Sequence, residues 1–275
     1  MDEKPVAQLA EVAESCAENE GRQVKAKLTA KTTAKTAGRT IKWRTSTAAH
    51  IPFLAAALVF FLGAAPGLTQ VSTKTVPLDS LSELKSRNVK TEMVTYKGRR
   101  ALRVTDTASA DVGDGDRLVI LTKTDFQDGV IEIDLTGEPG ASTGGGARGF
   151  VGVAFRIASD ASKFECFYLR PTNGRAEDQV RRNHSVQYIS FPDFPWQRLR
   201  KEFPEKYESY VDLVPGEWTK VKIEVRGEQA RLCVRGAAQP TLLVNDLKLG
   251  GAKGGVGLWV GPGTVAHFSN LRLTQ

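Results

Sequence analysis

Short runs of alternating apolar and polar residues fill the chain from Val71 to Gln275. Residues that favour turns (Gly, Asp, Asn and Pro) separate these runs, a pattern that predicts half-buried β-strands. The predicted strands are 90–96, 101–105, 117–122, 129–135, 150–157, 164–170, 184–190, 207–213, 219–226, 229–235, 240–244, 254–260 and 265–273. One helical turn is predicted at 194–203. Many short strands without a long helix predict an all-β fold, a two-sheet antiparallel jelly-roll sandwich, rather than a parallel α/β fold.

The alternation also predicts the register of a hairpin whose two-residue loop is 227–228. In that register Ile223 lies opposite Leu232 on a core face, and Glu224 lies opposite Arg231 on the other face. We interpret the acid–base pair as a surface contact between strands rather than as a reactive pair.

A second hairpin is predicted between the strands 150–157 and 164–170. A turn centred on 160–161 places Arg156 opposite Glu165, on the same face as several small residues. Such a face would suit the floor of a shallow cleft. The alternative is an ordinary salt bridge on a sheet surface.

The three cysteines, Cys16, Cys166 and Cys233, have neither the spacing of a metal site nor that of a disulfide framework. In the two predicted hairpins Cys166 lies opposite Phe155 on a core face, whereas Cys233 lies opposite Lys222 on a polar face. We therefore predict that the two domain cysteines are not bonded to each other.

The formal net charge of +7 is unevenly distributed along the chain. Residues 1–20 carry −5, residues 21–50 carry +8, and the rest of the chain carries about +4. The stretch 1–50 has few large apolar residues in its basic half and is predicted to be a disordered, charged region. Because the densest basic run lies outside the predicted domain, the high isoelectric point does not indicate nucleic-acid binding.

An uncharged, mostly apolar run follows at 51–68, after the basic stretch and with small residues at its end. This order is typical of an export segment, which we place at 51–69. It could be a signal peptide behind a mis-assigned start codon, an uncleaved membrane anchor, or a buried core helix. The first two interpretations place the domain, predicted at 75–275, outside the cytoplasm, with membrane contact only through 51–68.

Three stretches of the predicted domain resemble a known superfamily. Residues 254–273, GGVGLWVGPGTVAHFSNLRL, resemble the closing strands of concanavalin A-like lectin and glucanase jelly rolls. Residues 216–227, GEWTKVKIEVRG, resemble the strand before the glycine turn of laminin-G-like members. The run 153–156, VAFR, followed by Phe164 and Glu165, is similar to bacterial 3-keto-disaccharide hydrolase-type domains. The resemblance implies binding or processing of carbohydrate outside the cytoplasm, on the concave face of one sheet, and it allows a bound calcium ion.

Two sets of candidate catalytic residues follow from these patterns. Glycoside hydrolases of this superfamily carry a Glu-x-Asp-x-x-Glu strand, which Glu132 and Asp134 resemble, but the third acid, Glu138, comes one residue too late. Glu132 and Asp134 share a strand face and could serve as a carboxylate pair about 5 Å apart. Any half-exposed strand also shows this pattern. The other set is Glu165 as an acid–base group, with Arg156 tuning its charge.

The segment between 164 and 196 combines aromatic rings with planar polar groups, the two kinds of side chain that bind sugar rings and their hydroxyls. The candidate substrate-binding residues are Arg170, Asn173, Asp178, His184, Gln187, Tyr188 and Trp196. The alternative is a solvated loop with Trp196 covering the core. Histidines at 50, 184 and 267 are too scattered to predict a metal site.

Three functions are therefore open: a carbohydrate-binding domain without catalysis, a glycoside-processing hydrolase, and a cell-surface interaction module without a sugar site. We expect them to differ in whether acids and aromatic rings meet on one concave face.

Overall fold

The computed structural model describes residues 72–109, 112–113, 115–141, 143 and 146–275. The charged region predicted at 1–50 and the export segment predicted at 51–69 lie outside these residues. Within the described part of the chain, no helix is long and apolar enough to span a membrane.

Fifteen strands and two short helices make up the described domain. The strands are β1 (Thr73–Thr75), β2 (Leu84–Arg87), β3 (Val89–Tyr96), β4 (Arg99–Asp106), β5 (Leu118–Phe126), β6 (Gly129–Pro139), β7 (Val151–Ile157), β8 (Phe164–Leu169), β9 (Val186–Phe191), β10 (Glu208–Ser209), β11 (Thr219–Arg226), β12 (Gln229–Val234), β13 (Leu242–Val244), β14 (Gly254–Val260) and β15 (Thr264–Thr274). The helices are α1 (Gln179–Asn183) and α2 (Trp196–Glu202), with 3₁₀ turns at Leu81–Glu83 and Pro171–Asn173.

The strands form two antiparallel sheets packed as a sandwich. Sheet A has the order β13-β12-β11-β6-β15-β4-β3, with β1 also paired to β15, and sheet B has the order β10-β9-β8-β7-β14-β5-β2. The chain crosses between the sheets at each step from β4 to β7 and again from β13 to β15. The predicted all-β, two-sheet antiparallel sandwich is confirmed.

Apolar residues on the inner faces of both sheets build one core. Ile133 and Ile223 come from two adjacent strands of sheet A, and Val153, Phe155 and Phe167 come from sheet B; all five are at most 2% exposed. On β11 buried residues alternate with more exposed ones, as the sequence pattern predicts for a strand with one solvated face.

The strand predicted at 207–213 is the largest disagreement in secondary structure. Only Glu208 and Ser209 pair with β9, and beyond them the main-chain N–H of Val211 bonds the Ser185 hydroxyl instead. Side chains with a high strand propensity do not produce a strand where no neighbouring strand is available for main-chain pairing. The sequence also missed β1, β2 and helix α1, which are all short.

The first predicted hairpin is correct in register. Ile223 pairs with Leu232 and Glu224 pairs with Arg231, across the turn at Gly227. Gly227 has φ +57°, a left-handed conformation that costs glycine little, which is why this turn sets the register so firmly.

The second predicted hairpin is wrong by one residue. Next to the loop the register is the predicted one, with the Ala158 N–H donating to the Lys163 carbonyl oxygen at 2.9 Å. Arg156 then adopts φ +54° and bulges out of the ladder, so that Glu165 pairs with Phe155 rather than with Arg156. A one-residue shift exchanges the two faces of the strand pair.

The exchange turns Glu165 into the core and places Cys166 on the outer face of sheet B, the same face as Tyr168. The predicted core position of Cys166 opposite Phe155 is therefore wrong. Cys166 and Cys233 are nevertheless both buried free thiols, which confirms that they are not bonded to each other.

Candidate functional site

One row of paired residues crosses the outer face of sheet B. Trp259 pairs with Gly152, Gly152 with Tyr168, Tyr168 with Gln187, and Gln187 with Glu208. Side chains of directly paired residues lie on the same face of a sheet, so these five positions form one line across five strands. The line is the base of the candidate site.

Glycine at 152 lets two aromatic rings of this row touch. The centroids of Tyr168 and Trp259 are 4.7 Å apart although their strands lie on opposite sides of β7. A Cβ atom at Gly152 would lie 2.3 Å from the carbonyl oxygen of Phe167 and 2.5 Å from the Cβ of Tyr168. Any larger residue would therefore force the strands or the rings apart.

A cleft of about 1220 Å³ lies above this row. Helices α1 and α2 and the segments around residues 113, 148 and 192 surround it. Its aromatic lining consists of Phe150, Tyr168, Phe191, Trp196 and Trp259. Tyr168 and Trp259 are only 2% exposed and form a rigid base, whereas the other three rings are partly exposed and can contact a ligand.

The charged lining of the cleft is strongly basic. The arginines that line it are Arg148, Arg170, Arg181, Arg198 and Arg200. Among the described residues of the lining, Asp178 is the one carboxylate. Three of these arginines form ion pairs with acids beside the lining: Arg170 and Arg200 pair with Glu208, and Arg198 pairs with Glu202.

Arg170 organises the base of the cleft. Its guanidinium donates to the Tyr168 hydroxyl at 2.8 Å, to Oε1 of Gln187 at 3.1 Å and to the carbonyl oxygen of His184 at 2.9 Å. It also lies over the rings of Tyr168 and Trp196, with its central carbon 4.9 and 5.9 Å from their centroids. These contacts hold Arg170, which is 5% exposed, in one orientation.

Glu208 lies at the end of the row and neutralises part of the positive charge of the neighbouring arginines. Arg200 donates to Oε2 of Glu208 at 3.1 Å, and Nη1 of Arg170 lies 3.5 Å from Oε1. Nδ1 of His184 lies 2.7 Å from Oε2, in poor alignment for a hydrogen bond. Burial lowers the pKa of His184; Glu208 opposes this effect, and the guanidinium groups of Arg200 and Arg170 add to it.

Helix α1 positions the polar wall of the cleft. The Asp178 carboxylate caps this helix by accepting from the Arg181 N–H at 2.6 Å. Arg181 in turn donates to Oδ1 of Asn173 at 3.0 Å, and Nδ2 of Asn173 donates to the His184 carbonyl oxygen at 3.1 Å. Asp178, Asn173 and His184 thus belong to one bonded wall.

The structure therefore brings together most of the predicted substrate-binding residues. Arg170, Asn173, Asp178, His184 and Trp196 all line the cleft. Their roles in binding stay predictions, but their common location agrees with the sequence argument.

Two members of the predicted binding set lie elsewhere. Gln187 is fully buried beneath Arg170, and its amide nitrogen donates to the main-chain oxygens of Tyr188 and Tyr207. Tyr188 faces the core, where its hydroxyl donates to Glu165. The prediction that Tyr188 is available on the binding face is wrong, because neighbouring residues of a strand point to opposite faces.

Arg156 and Glu165 do not form the predicted pair on a cleft floor. The Arg156 guanidinium is buried and donates to the carbonyl oxygens of Gln127 at 3.0 Å and Gly227 at 2.7 Å, and to Asp128 at 3.1 Å. Glu165 is fully buried; it accepts from the Leu249 N–H at 2.6 Å and from the Tyr188 hydroxyl. Burial raises the pKa of Glu165 despite these bonds. Its exposure on the cleft floor, on which the catalytic prediction depended, is contradicted.

Glu132 and Asp134 lie on the outer face of sheet A, which is not the face that carries the cleft. Asp134 accepts from Arg99 at 3.1 Å and from Asn270 at 2.7 Å, and Glu132 lies 3.9 Å from Arg272. The two acids thus occupy ion pairs on the outer face of sheet A, where Asp134 is buried and Glu132 is partly exposed.

Sequence reasoning missed several residues of the cleft. They are Arg148, Phe150, Arg181, Arg200 and Trp259. Trp259 carried a usable signal, since in the strand Gly254–Val260 it alternates with the core residue Leu258 and must face outward. Arg148 and Phe150 lie on one segment, but that segment is well separated in sequence from Arg181 and from Arg200, and no local pattern places them together.

The described residues contain no group of three or more His, Cys, Asp or Glu side chains that could hold a metal ion. The calcium ion allowed by the resemblance stays an expectation without a site in this part of the chain.

Comparison with known proteins found structural likenesses only. A carbohydrate-binding module, CBM66 from Bacillus subtilis, is similar with 15% identity, covering 70% of this chain and 95% of the module, at a TM-score of 0.48. A Bacillus subtilis protein with a galectin-like fold shares 13% identity over 71% of this chain and 90% of its own, at a TM-score of 0.46. A β-1,3-1,4-glucanase (lichenase) derived from a mouse hindgut metagenome shares 10% identity over 68% and 83% of the two chains, at a TM-score of 0.38.

No family model and no curated protein matches the chain. These likenesses, each at 15% identity or less and at a TM-score below 0.5, assign neither a superfamily nor a function to this chain.

Proposed function

We propose that this domain binds carbohydrate in the cleft on the outer face of sheet B. The observation that carries the proposal is the convergence of partly exposed aromatic rings and fixed planar donors in one concave space. Trp196 and Phe150 offer ring faces for the C–H patches of sugars, next to the planar polar groups of Arg170 and Asn173 in the lining. The cleft exceeds the range of about 300–1,000 Å³ that is usual for small-molecule pockets, which suits an oligosaccharide.

The distribution of acids favours binding over hydrolysis. Glycoside hydrolysis commonly uses two carboxyl groups on either side of the scissile bond. Among the described residues of the lining, Asp178 is the one carboxylate, and it caps helix α1. Glu208, the nearest buried acid, is held by Arg200 and Arg170. We therefore place binding without turnover ahead of the hydrolase hypothesis.

We also propose that the domain acts outside the cytoplasm. Support comes from the sequence alone, in the order of a basic stretch, the apolar run 51–68 and small residues. Fractionation of cells that express the full chain with a C-terminal tag is the test. A tag found only in the cytoplasmic fraction would contradict this part of the proposal.

A glycan array probed with the full-length protein tests the binding function, followed by titration calorimetry on the best ligand. Trp196→Ala should weaken binding roughly tenfold to a hundredfold, because the apolar contact of one aromatic face is lost. Trp218→Ala is the matched control, since Trp218 is also partly exposed but is absent from the cleft lining. The proposal fails if no glycan binds, or if Trp196→Ala binds as well as the control.

A further inference from the structure

We propose that Lys248 is a positioning residue of the cleft, because its ammonium group clamps both ends of one cleft wall against the rest of the domain. This wall is formed by residues 194–203, which we call the wall segment. It contains helix α2 and carries the lining residues Trp196, Arg198 and Arg200. The clamp itself is independent of the ligand, whereas its effect on binding rests on the proposed function.

A phenylalanine stands at each end of the wall segment. Phe194 lies two residues before helix α2, where its N–H donates to the Ser190 carbonyl oxygen at 2.8 Å. Phe203 ends the helix by donating its N–H to the Leu199 carbonyl oxygen at 2.8 Å. Arg198 lies over the Phe194 ring, with its central carbon 4.3 Å from the centroid, but this contact stays within the segment. Because Leu199 is the buried side chain of this short helix, the position of the helix depends on contacts made at its two ends.

The ammonium group of Lys248 lies between three aromatic rings. Its Nζ atom is 5.3 Å from the ring centroid of Phe194, 5.0 Å from that of Phe203 and 5.0 Å from that of Tyr207. Tyr207 is 1% exposed and belongs to the core, whereas the two phenylalanines are the ends of the wall segment. A cation within about 6 Å of a ring centroid is attracted to the ring, and more strongly when it is partly desolvated. The side chain of Lys248 is only 14% exposed, so one ammonium group joins both ends of the wall segment to a fixed ring.

Neighbouring groups hold Lys248 in this place. Its main-chain N–H donates to the hydroxyl of the fully buried Tyr188 at 2.9 Å. Its ammonium group donates to Oδ2 of Asp246 at 2.9 Å, and the same oxygen accepts from the Tyr207 hydroxyl at 2.7 Å and from Lys206 at 2.8 Å. Burial raises the pKa of Asp246, but these three hydrogen bonds outweigh that effect and lower the pKa to about 2. The carboxylate is therefore charged at neutral pH and keeps its ion pair with Lys248.

Further contacts tie the wall segment to the rest of the domain. Arg200 donates to Oε2 of Glu208 at 3.1 Å, and the central carbon of Arg170 lies 5.9 Å from the ring centroid of Trp196. Leu199 packs into the core with 1% exposure. These contacts keep helix α2 attached when the clamp is lost, so we expect its ends to loosen without unfolding of the domain.

Hydrogen–deuterium exchange of the full-length protein, followed by mass spectrometry, tests the clamp. Lys248→Met keeps a long, flexible side chain between the rings but removes the charge. Lys248→Arg keeps a cation that stacks on aromatic rings. Lys206→Met is the matched control, because the rings that Lys206 lies over in the described part of the chain are those of Phe203 and Tyr207, without Phe194.

We expect Lys248→Met to raise the exchange rates of the amides of helix α2 about tenfold, because the attraction of one cation to both end rings is lost. Lys248→Arg and Lys206→Met should each stay within about threefold of the wild-type rates. The amides of β11 and β12 belong to sheet A and should exchange as in the wild type in all three variants. On the glycan array, Lys248→Met should bind the glycans that the wild type binds about tenfold more weakly, and Lys248→Arg should restore their binding.

The outcomes separate the clamp from the proposed function. Unchanged exchange of helix α2 in Lys248→Met, equal acceleration throughout the domain, or the same acceleration in Lys206→Met would overturn the clamp. Faster exchange of helix α2 with unchanged glycan binding would overturn the positioning role of Lys248 and leave carbohydrate binding standing. Failure of the wild type to bind any glycan would overturn the proposed function, and the exchange rates would still decide whether Lys248 clamps the wall segment.

Discussion

Glu165 and Glu208 are buried carboxylates on two strands of sheet B, β8 and β10, which β9 separates, and their partners give them different roles. Glu165 faces the core and binds a tyrosine hydroxyl and a main-chain N–H. Glu208 lies at the end of the cleft row and binds Arg200 and Arg170. Residue type alone could not separate them, because the face of each strand decides which partners a side chain meets.

Glu208→Gln tests the importance of this charge balance. Removing one partner of a buried ion pair leaves the other charge uncompensated, so we expect the free energy of unfolding to fall by about 3 kcal/mol. Glu202→Gln is the control, because its ion pair with Arg198 is exposed and should contribute less than about 1 kcal/mol. Chemical denaturation of both variants measures the difference, and similar losses would contradict the prediction.

His267 makes a pH-dependent contribution to stability on the outer face of sheet A. Its ring stacks on Tyr96 at 3.7 Å, and its Nδ1 lies 3.2 Å from the Thr136 hydroxyl oxygen. Burial lowers the pKa of His267 to about 4. Repulsion from the Arg103 guanidinium adds to this effect on the pKa, and attraction to the Glu92 carboxylate opposes it. The unfolded chain therefore binds a proton at higher pH than the folded chain does.

We expect this linkage to lower the free energy of unfolding as pH falls from about 6.5 to about 4, by on the order of 2 kcal/mol. His267→Phe keeps an aromatic ring on Tyr96 and cannot titrate, so the difference in stability between wild type and variant should change over this pH window. Urea denaturation at a series of pH values measures it. A constant difference would contradict the assignment to His267.

At the scale of the elements, the bulge in β7 decides which residues reach the cleft. Arg156 has φ +54°, and its side chain spans to main-chain oxygens of two other loops, at Gln127 and Gly227. The bulge shifts the register by one residue, which places Tyr168 in the cleft and turns Glu165 inward. The sequence has no glycine or aspartate at this position that would indicate a bulge. The alternation of apolar and polar residues therefore predicted the wrong face for the side chains of β8.

Two substitutions at Arg156 separate its side-chain bonds from its backbone conformation. Arg156→Ala and Arg156→Gly both remove a buried guanidinium that donates to the carbonyl oxygens of Gln127 and Gly227, and we expect each to lower the free energy of unfolding by about 2 kcal/mol. The glycine variant should be the more stable of the two by about 1 kcal/mol, because glycine adopts positive φ without steric cost. Equal or reversed stabilities in chemical denaturation would contradict this account of the bulge.

At the scale of the whole molecule, the sandwich buries both domain thiols although each lies on an outward-facing position of its strand. Cys166 is fully buried and Cys233 is 6% exposed. Burial in apolar surroundings also raises the pKa of the Cys166 thiol well above its usual value. Both effects protect a thiol from reagents, which attack the thiolate.

We expect both thiols to react only when the domain unfolds. In a full-length Cys16→Ser variant, a thiol reagent should label no cysteine rapidly under native conditions and two after denaturation. Adding denaturant below the unfolding midpoint should raise the two labelling rates together, in step with the population of the unfolded state. Rapid labelling of Cys166 in the native protein would contradict this expectation.

The sequence by itself determined the fold class, most strand positions and the hairpin at Gly227, because each depends on residues close together in the chain. Alternation, turn residues and a two-residue loop are all local properties. It also identified five residues of the cleft, from Arg170 to Trp196, because they lie within one excursion of the chain.

Only the tertiary structure decided which face of each strand forms the site. It also decided which residues from distant parts of the sequence line the cleft. A single bulged residue inverted the predicted faces of β8, since the side-chain period of a strand is two. Trp259 lies on β14, and Arg148 lies in the segment before β7. These two strands are neighbours in sheet B but are distant in sequence, and both residues line the cleft. The basic character of the cleft arises from that assembly, because the charges become one site only when the sheet places them together.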